Sequence, residues 1–342
     1  MKNVIFLLVL IIVVGCKSPI VTVNSEDSNR SAIPKSSNGA IVMASSSKAI
    51  NNYLATSEEL EGIITYLASD DLKGRDTGSE GIEKAAVYIE AIFQENNIKP
   101  YFKTYRDSFN LKGAHAYNIV GFIEGNDAAL KNEIVIIGAH YDHIGSAKKV
   151  NNDSIANGAN DNAAGTSGVL EIAEYFAATK NNKRSIMVAL FSAEEKGLKG
   201  SEHLAEKLKA ENIDLYTMLN FEMIGVPFKD RPYDVFITGY ELSNMSAKIN
   251  EYTNSDFTGF SEVSKKYDLF KHSDNYAFYQ AFKLPCQTIS SCDLSNYDYY
   301  HHVDDEADKL DYNHMASLIN KVIPAIETIC NTPTKEIKMN NE

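Results

Sequence analysis

The sequence predicts an α/β fold with a mostly parallel, mixed central β-sheet and helices on both faces. Short runs of β-branched and aliphatic residues, typical of buried parallel strands, occur at 133–137, 186–191 and 218–221. Helical patterns separate these runs, so strands and helices alternate along the chain. Carboxylates and histidines follow the runs directly, at the end of a strand where open α/β sheets bind ligands. We therefore expect three layers, with a site at the carboxyl ends of the strands.

Length and composition narrow the classes of protein to consider. A chain of 342 residues with 44% hydrophobic content can bury one large core, so we expect one main domain. The formal net charge of −13 argues against nucleic acid as a partner. The four cysteines are too few for a disulfide scaffold and have no Cys-x-x-Cys spacing.

The first sixteen residues predict a bacterial lipoprotein signal peptide. Lys2 precedes an apolar run at 4–14, and the run ends in a Val-Val-Gly-Cys pattern similar to a lipobox. A lipid on Cys16 would anchor the protein to a membrane in the bacterial cell envelope, outside the cytoplasm. The alternative is a plain secretory signal or a short anchor. Residues 17–55, rich in Ser and Asn, predict a disordered tether.

The folded part is predicted at 56–332, followed by a polar C-terminal tail at 333–342. Ser57 is the predicted N-cap of a first helix that ends near residue 68. After a glycine-punctuated loop, apolar side chains at helical spacing predict an amphipathic helix across 82–93. Weaker strands are predicted at 235–238 and 287–290, and further helices at 167–178, 200–210, 242–252 and 312–330.

The first strand is followed by Gly-Ala-His-Tyr-Asp-His-Ile-Gly, which contains His140 and Asp142. Side chains two residues apart in an extended segment point the same way. Asp142 could therefore accept a hydrogen bond from one ring nitrogen of His140, an arrangement that orients a histidine for binding a metal through the other.

Carboxylates recur at three later points. Asp161 lies between small residues in 157–165, which indicates close backbone packing there, although a capping aspartate would look similar. Glu194 and Glu195 follow the strand at 186–191, where adjacent carboxylates repel unless a cation is near. Glu222 follows the strand at 218–221, and a late Tyr-Tyr-His-His segment with acidic neighbours completes the set.

In this order and spacing, the motifs resemble the di-zinc aminopeptidase family, which includes bacterial leucyl aminopeptidase, the streptomycete enzyme and yeast vacuolar aminopeptidase Y. The resemblance covers about 57–330 and includes an early Leu-Ala-Ser-Asp-Asp-Leu-x-Gly-Arg segment. It implies a zinc exopeptidase fold and a metallopeptidase that removes the N-terminal residue of peptides with a free amine.

The resemblance also implies two Zn²⁺ ions per chain and a role for each site residue. One metal would be bound by His140 and Glu222, and the other by Glu195 and His301, with Asp161 bridging the two. Glu194 would be the general base, and Asp142 would support His140. His301 is preferred to His302 because it directly follows the tyrosines. The remaining histidines are expected to be structural or at the surface: His115, His143, His203, His272 and His314.

Several positions depart from the family pattern or leave alternatives open. Glu222 stands where the family more often has Asp, and Asn162 replaces the second residue of a common Asp-Asp pair. The resemblance implies a strained bond after Asp161, which could be cis. Cys286 and Cys292 could form a short disulfide, as in some relatives, or remain two free thiols.

Two other functions fit the same fold. Glutaminyl-peptide cyclotransferases resemble this family but keep one zinc and use tryptophan in their pockets, and this chain has no tryptophan. A binding domain that has lost catalysis usually lacks ligand residues, whereas every ligand position here holds a competent one. The sequence has no Gly-x-Ser-x-Gly or His-Glu-x-x-His motif, which disfavours serine hydrolases and single-zinc proteases of that type.

Overall fold

The computed structural model describes residues 53–340. The predicted signal peptide, Cys16 and most of the predicted tether therefore lie outside the described residues. Ala55, the last residue of the predicted tether, is buried, and its backbone N–H and carbonyl both hydrogen-bond to the amide of Asn320. Across 53–340, no helix is both long enough and apolar enough to cross a membrane.

The described chain alternates strands and helices. The strands are β1 (Lys99–Pro100), β2 (Arg106–Leu111), β3 (Ala114–Ile123), β4 (Glu133–His140), β5 (Ser146–Val150), β6 (Asp153–Ile155), β7 (Ser185–Phe191), β8 (Asp214–Phe221), β9 (Val235–Ile237), β10 (Thr258–Gly259) and β11 (Cys286–Ser290). The helices are α1 (Ser57–Leu67), α2 (Glu80–Glu95), α3 (Gly165–Thr179), α4 (Lys199–Ala210), α5 (Met245–Thr253), α6 (Glu262–Lys266), α7 (Asn275–Phe282) and α8 (Tyr312–Asn331).

Nine strands form one mixed sheet in the order β1-β3-β7-β4-β8-β11-β9-β10, with β2 paired to β3. The central strands β7, β4, β8 and β11 are parallel, and antiparallel pairs flank them. Strands β5 and β6 form a separate hairpin. The predicted fold class is confirmed, with the parallel character concentrated at the centre.

The core covers both faces of the sheet. Ile134 and Ile136 of β4 belong to a cluster with residues of α4 and α7. Val135 and Ile137, which alternate with them and so point to the opposite face, are also buried, and α3 packs against β4 on this sheet. Because β4 is apolar on both faces, it lies in the middle, and its carboxyl end is enclosed by neighbouring strand ends.

The sequence analysis missed the antiparallel edge. Strands β1 to β3 occupy 99–123, a region with no predicted strand, and helix α7 was not predicted either. Strand β2 has a mixed burial pattern, with exposed and buried residues close together. The short strands β1 and β2 lack the continuous apolar run by which the central strands were recognised. Strand β3 is an inner strand paired with β7, and its apolar run at 119–123 was overlooked.

The predicted polar tail also differs from the structure over its described part. Ile337 is buried, and its backbone N–H donates to the hydroxyl of Tyr216 at 2.8 Å. Met339 forms a β-bridge with Ser243. One apolar side chain and these main-chain contacts are enough to pack the segment against the domain.

Candidate metal centre

The site is built where three adjacent parallel strands end. Strand β4 lies between β7 and β8 and ends at His140, while Glu194 and Glu195 follow β7 and Glu222 follows β8. Parallel neighbours end at the same edge, so the strand order alone brings these polar side chains together. A fourth segment, before α3, carries Asp161 to the same edge.

Asp161 lies at the centre of the cluster and is almost fully buried. The peptide bond between Asp161 and Asn162 is cis, as the resemblance allowed. Asp305 accepts hydrogen bonds from the backbone N–H groups of Asn160 and Asp161 at 2.8 and 3.0 Å, and from the hydroxyl of Tyr297 at 2.6 Å. These three bonds fix the loop from which the Asp161 side chain projects.

The small residues around Asp161 are needed for close packing, as the sequence indicated. Gly158 has a φ of +60°, and a Cβ atom there would lie 2.3 Å from the carbonyl oxygen of Asp161. A Cβ on Gly165 would lie 2.3 Å from the carbonyl oxygen of Phe221. Neither position accepts a side chain without displacing backbone.

Asn162 connects this loop to β8. Its amide donates to the carbonyl of Phe221 at 3.0 Å, and its amide oxygen accepts from the backbone N–H of Met223 at 3.1 Å. An ionised Asp could not donate the first bond. The amide found at this position therefore braces Glu222, which lies between the two contacted residues.

One side of Asp161 carries a single histidine. His140 Nε2 lies 3.4 Å from Asp161 Oδ1 and 3.2 Å from Glu222 Oε1. Ser273 donates a very short hydrogen bond to the other carboxylate oxygen of Glu222. We call His140 and Glu222, with Asp161 Oδ1, the His140 side.

The opposite side carries two histidines. His301 Nε2 lies 3.2 Å from Asp161 Oδ2 and 3.1 Å from Glu195 Oε2. His143 Nδ1 lies 3.0 Å from Glu195 Oε1 and 3.6 Å from Asp161 Oδ2. We call His143, Glu195 and His301, with Asp161 Oδ2, the His143 side.

Several of these atoms are buried without a hydrogen-bond partner in the described chain. They are both ring nitrogens of His143, Nε2 of His301, Oδ2 of Asp161 and Oε1 of Glu195. Burying polar atoms without partners is costly. Their convergence on one small volume is explained if a cation binds between them.

The electrostatics also favour a cation. The surrounding carboxylates raise the pKa of His301 to about 10, although its burial acts in the opposite direction. Burial would raise the pKa of Asp161, but His140, His143 and His301 hold it well below its usual range. Both shifts arise because imidazoles and carboxylates converge at one point, as they do in a site built to hold charge.

The donor set fits zinc on both sides. The groups His140, Asp161, Glu222 and His143, Asp161, Glu195 each place one donor atom per residue within 4.8 Å of one another. Zn²⁺ takes histidine nitrogen and carboxylate oxygen at about 2.0–2.2 Å, which separates donors at tetrahedral corners by about 3.3–3.6 Å. The observed donor separations of 3.0–3.6 Å lie within this spacing or slightly below it.

Asp142 is fully buried beside His140, but its contacts differ from the prediction. His140 Nδ1 contacts the main-chain carbonyl of Asp142 at 3.2 Å, while the carboxylate lies 3.7 Å away. The carboxylate instead accepts from the hydroxyl of Thr77 at 3.1 Å and the backbone N–H of Glu194 at 3.2 Å. Asp142 therefore links the loop after β4 to the loop after β7.

Burial and the neighbouring charges of the site shift the pKa of Glu194. Burial raises its pKa well above the usual range, and Glu222 adds to the effect, although His140 lowers it. A carboxylate with a raised pKa binds a proton more readily, as a general base must.

A buried arginine braces the loops from behind. Arg75 donates hydrogen bonds to the carbonyls of Leu67, Tyr141, Asn157 and Gly158 at 2.5–2.9 Å. Three of these carbonyls lie just before Asp142 or Asp161 in the chain. The early Gly-Arg segment thus supports the site without contributing a donor to it.

The structure brings together all seven residues predicted for the site and adds His143, which was expected to be structural. The signal available in the sequence was the second histidine of His-Tyr-Asp-His, three residues after His140. His302 lies outside the cluster and contacts Asp304 in its own loop. Cys286 and Cys292 are both free, so the disulfide alternative is not formed.

A cavity of about 60 Å³ opens beside the His140 side. Its lining includes Glu222 and Ser273 from the site, together with Tyr300. Apolar side chains supply much of the remaining wall, namely Met223, Phe236, Leu269, Cys292 and Leu294.

A parallel-centred sheet with clusters of His and carboxylate donors at its carboxyl edge suits an α/β metalloenzyme that holds metal at the ends of its strands. The comparisons with known proteins agree. A model of peptidase family M28 matches residues 118–326, more than half of the chain, and the chain belongs to this family.

Several known proteins are similar to this chain in sequence or in fold. A probable leucine aminopeptidase of Trichophyton verrucosum is 28% identical over 228 residues, which are 64% of this chain and 57% of that protein. The chain thus spans less than two thirds of that relative's length. The LapA aminopeptidase of Legionella pneumophila superposes with a TM-score of 0.62 at 21% identity, over 82% of this chain and 75% of that one.

Two further solved structures share the fold. A zinc aminopeptidase of Bacillus subtilis superposes with a TM-score of 0.60 at 14% identity, over 82% of this chain and 96% of that one. A glutaminyl cyclase of Fimbriiglobus ruber gives 0.61 at 16% identity, over 79% and 94%. At these identities the similarity concerns the fold alone.

Proposed function

We propose that this protein is a di-zinc aminopeptidase. The observation that carries the proposal is the position of Asp161, whose two carboxylate oxygens each face a separate set of His and Glu donors. One set would bind a single metal, whereas two sets joined by a shared carboxylate suit a two-metal site. Membership of peptidase family M28 and the similarity to a probable leucine aminopeptidase support the reaction class.

The metals and the side chains of the protein would carry out different parts of the reaction. Bound zinc supplies a Lewis acid for the scissile carbonyl and lowers the pKa of water. Glu194 then takes the proton of the attacking water and passes it to the leaving amine, a step worth about 10²–10⁴-fold in rate. Its raised pKa suits this exchange. The carboxylate of Asp142 accepts a hydrogen bond from the backbone N–H of Glu194 and so would hold the general base in position.

The cavity beside Glu222 would receive the side chain of the substrate's N-terminal residue. Its apolar wall favours aliphatic or aromatic side chains over charged ones, because burying a charge without a partner is costly. We expect peptides with N-terminal leucine, methionine or phenylalanine to be the better substrates.

The test compares the wild-type chain with Glu194→Gln and with a control, Glu202→Gln, which changes an exposed glutamate on α4. Zinc content and hydrolysis of a panel of aminoacyl-nitroanilides are measured for each. We expect about two zincs per chain in all three proteins and a loss of hydrolysis of about 10²–10⁴-fold in Glu194→Gln alone. Unchanged hydrolysis in Glu194→Gln would refute its role as the base.

The same panel includes a peptide with an N-terminal glutaminyl residue. Cyclisation of that peptide with one zinc per chain would assign the protein to the cyclotransferase alternative. No metal and no turnover would favour a binding domain.

We also propose, from the sequence alone, that a lipid on Cys16 holds the protein in the bacterial cell envelope with its active site outside the cytoplasm. Incorporation of labelled palmitate into the wild-type chain but not into Cys16→Ala would support this. Equal labelling would refute it.

A further inference from the structure

The His143 side contains more donors than the di-zinc proposal requires. With Asp161 as the shared carboxylate, the proposal needs only Glu195 and His301 there. His143 is nevertheless fully buried, and its Nδ1 lies 3.0 Å from Glu195 Oε1 and 3.6 Å from Asp161 Oδ2. A histidine at this position needs its own explanation.

A hydrogen bond to Glu195 does not explain the position of His143. Although Nδ1 of His143 and Oε1 of Glu195 lie 3.0 Å apart, neither atom has a hydrogen-bond partner among residues 53–340. Proximity without hydrogen-bond alignment is what two donors on the same cation show, because both lone pairs then point at the ion.

The two imidazoles of this side are spaced as ligands of one ion. The ring centroids of His143 and His301 are 5.6 Å apart, and their planes are inclined by 72°. With zinc–nitrogen bonds of about 2.0–2.1 Å, two imidazoles at tetrahedral corners have centroids about 5 Å apart. The observed separation is close to this value.

The end of β4 and the loop that follows it supply one histidine to each side. His140 Nε2 faces Oδ1 of Asp161, and His143 Nδ1 faces Oδ2 of the same carboxylate. The backbone N–H of His143 donates to the carbonyl of Arg75, which holds this part of the loop in place. The four-residue segment therefore spans the bridging residue from one oxygen to the other.

We propose that His143 is a zinc ligand, so that the His143 side holds its metal with four protein donors: His143, Asp161, Glu195 and His301. This inference rests on the proposed function. Zinc sites with four protein ligands are closed, whereas sites with three keep a position for water or substrate. The His140 side, with His140, Asp161 and Glu222, is then the open side and lies against the cavity.

It follows that the two metals are not equivalent. The first zinc equivalent binds to the His143 side, which offers two imidazoles and two carboxylates. The second binds to the His140 side, exchanges faster and is the one whose loss stops hydrolysis first.

The decisive measurement uses the wild-type full chain, stripped with a chelator and reloaded with one equivalent of zinc. X-ray absorption at the zinc edge then counts the imidazoles bound to the metal. We expect two, because each side has only one histidine unless His143 is a ligand. A count of one would overturn the inference, and since no variant is needed, misfolding cannot explain that result.

Variants test the same point by affinity. His143→Ala is expected to weaken binding of the first zinc by more than about 100-fold and to lower the imidazole count to one. His302→Ala, at a neighbouring histidine outside the cluster, is the matched control and should change neither value. Unchanged affinity and count in a folded His143→Ala protein would overturn the inference.

Failure of the inference and failure of the proposed function give different results. Two imidazoles on the first zinc without aminopeptidase activity would support the ligand and refute the function. One imidazole with full aminopeptidase activity would refute the ligand and leave the function standing. A wild-type chain that binds no zinc would refute both.

Discussion

The His140 side and the His143 side share one carboxylate but surround it differently. The His140 side has one imidazole, and its Glu222 is partly exposed and lines the apolar cavity. The His143 side has two imidazoles and a nearly buried Glu195, and neither His143 nor Glu195 lines that cavity. In the proposed di-zinc site, Asp161 would therefore serve two environments, one that retains a metal and one that exposes it to substrate.

The substitution Asp161→Asn is expected to have the largest effect, because it removes the negative charge that both sides share. We expect both zincs to be lost and hydrolysis to fall below detection, as measured by metal analysis and nitroanilide turnover. Asp304→Asn, which changes a half-exposed carboxylate in the nearby loop, is the control. Retention of one zinc at wild-type affinity would mean that the carboxylate is not shared.

The substitution Glu222→Ala separates the two sides. It removes a donor from the His140 side alone, so zinc content should fall from about two per chain to about one, with loss of hydrolysis. The remaining zinc should keep its wild-type dissociation constant. If both zincs are lost together, zinc binding on one side depends on the other, and the two sides are not independent sites.

Asp305→Asn should affect both sides more mildly. Asp305 is not itself a proposed zinc donor, but it accepts hydrogen bonds from the backbone N–H groups of Asn160 and Asp161 and from the hydroxyl of Tyr297. An amide has one acceptor oxygen in place of two, so we expect a 10–100-fold loss of zinc affinity and a loss of about 1–3 kcal/mol in the free energy of unfolding. Tyr297→Phe removes one bond only and should have a smaller effect. If Asp305→Asn and Tyr297→Phe lowered the zinc affinity and the free energy of unfolding by the same amounts, the assigned contacts would be contradicted.

The smallest expected effect concerns Asp274, a buried carboxyl group behind the His140 side. Burial raises its pKa to about 7. The folded state therefore holds its proton between about pH 4 and pH 7 where the unfolded state has lost it, and the free energy of unfolding falls as pH rises through that window. In zinc-free protein, Asp274→Asn should gain about 1–2 kcal/mol relative to wild type at pH 8 and little at pH 4. Denaturant unfolding at both values checks this, and a pH-independent difference would contradict it.

Much of the fold was predictable because its signal is local. The central strands are apolar without interruption, as in Ile186–Phe191 of β7, and the pattern of α8 is helical from end to end. Strands β1 and β2 were not predicted, because a short edge strand has no continuous apolar run and is defined by its pairing with a neighbour. Strand β3 lies inside the sheet and carries an apolar run at 119–123 that was overlooked.

The sequence by itself determined which chemical groups reach the carboxyl edge of the sheet. A carboxylate or histidine directly after an apolar strand must lie at that edge, whatever the details of packing, and this holds for His140, Glu195 and Glu222. The order of these groups along the chain was sufficient to indicate the family.

Only the tertiary structure decided how those groups meet. It turned His143 toward Glu195, placed Asp305 behind Asp161 and directed the carboxylate of Asp142 to Glu194 in place of His140. It also left Cys286 and Cys292 unpaired. These are contacts of a few ångströms between residues separated by up to 144 positions. Their geometry depends on the packing of the whole domain, which no short stretch of sequence encodes.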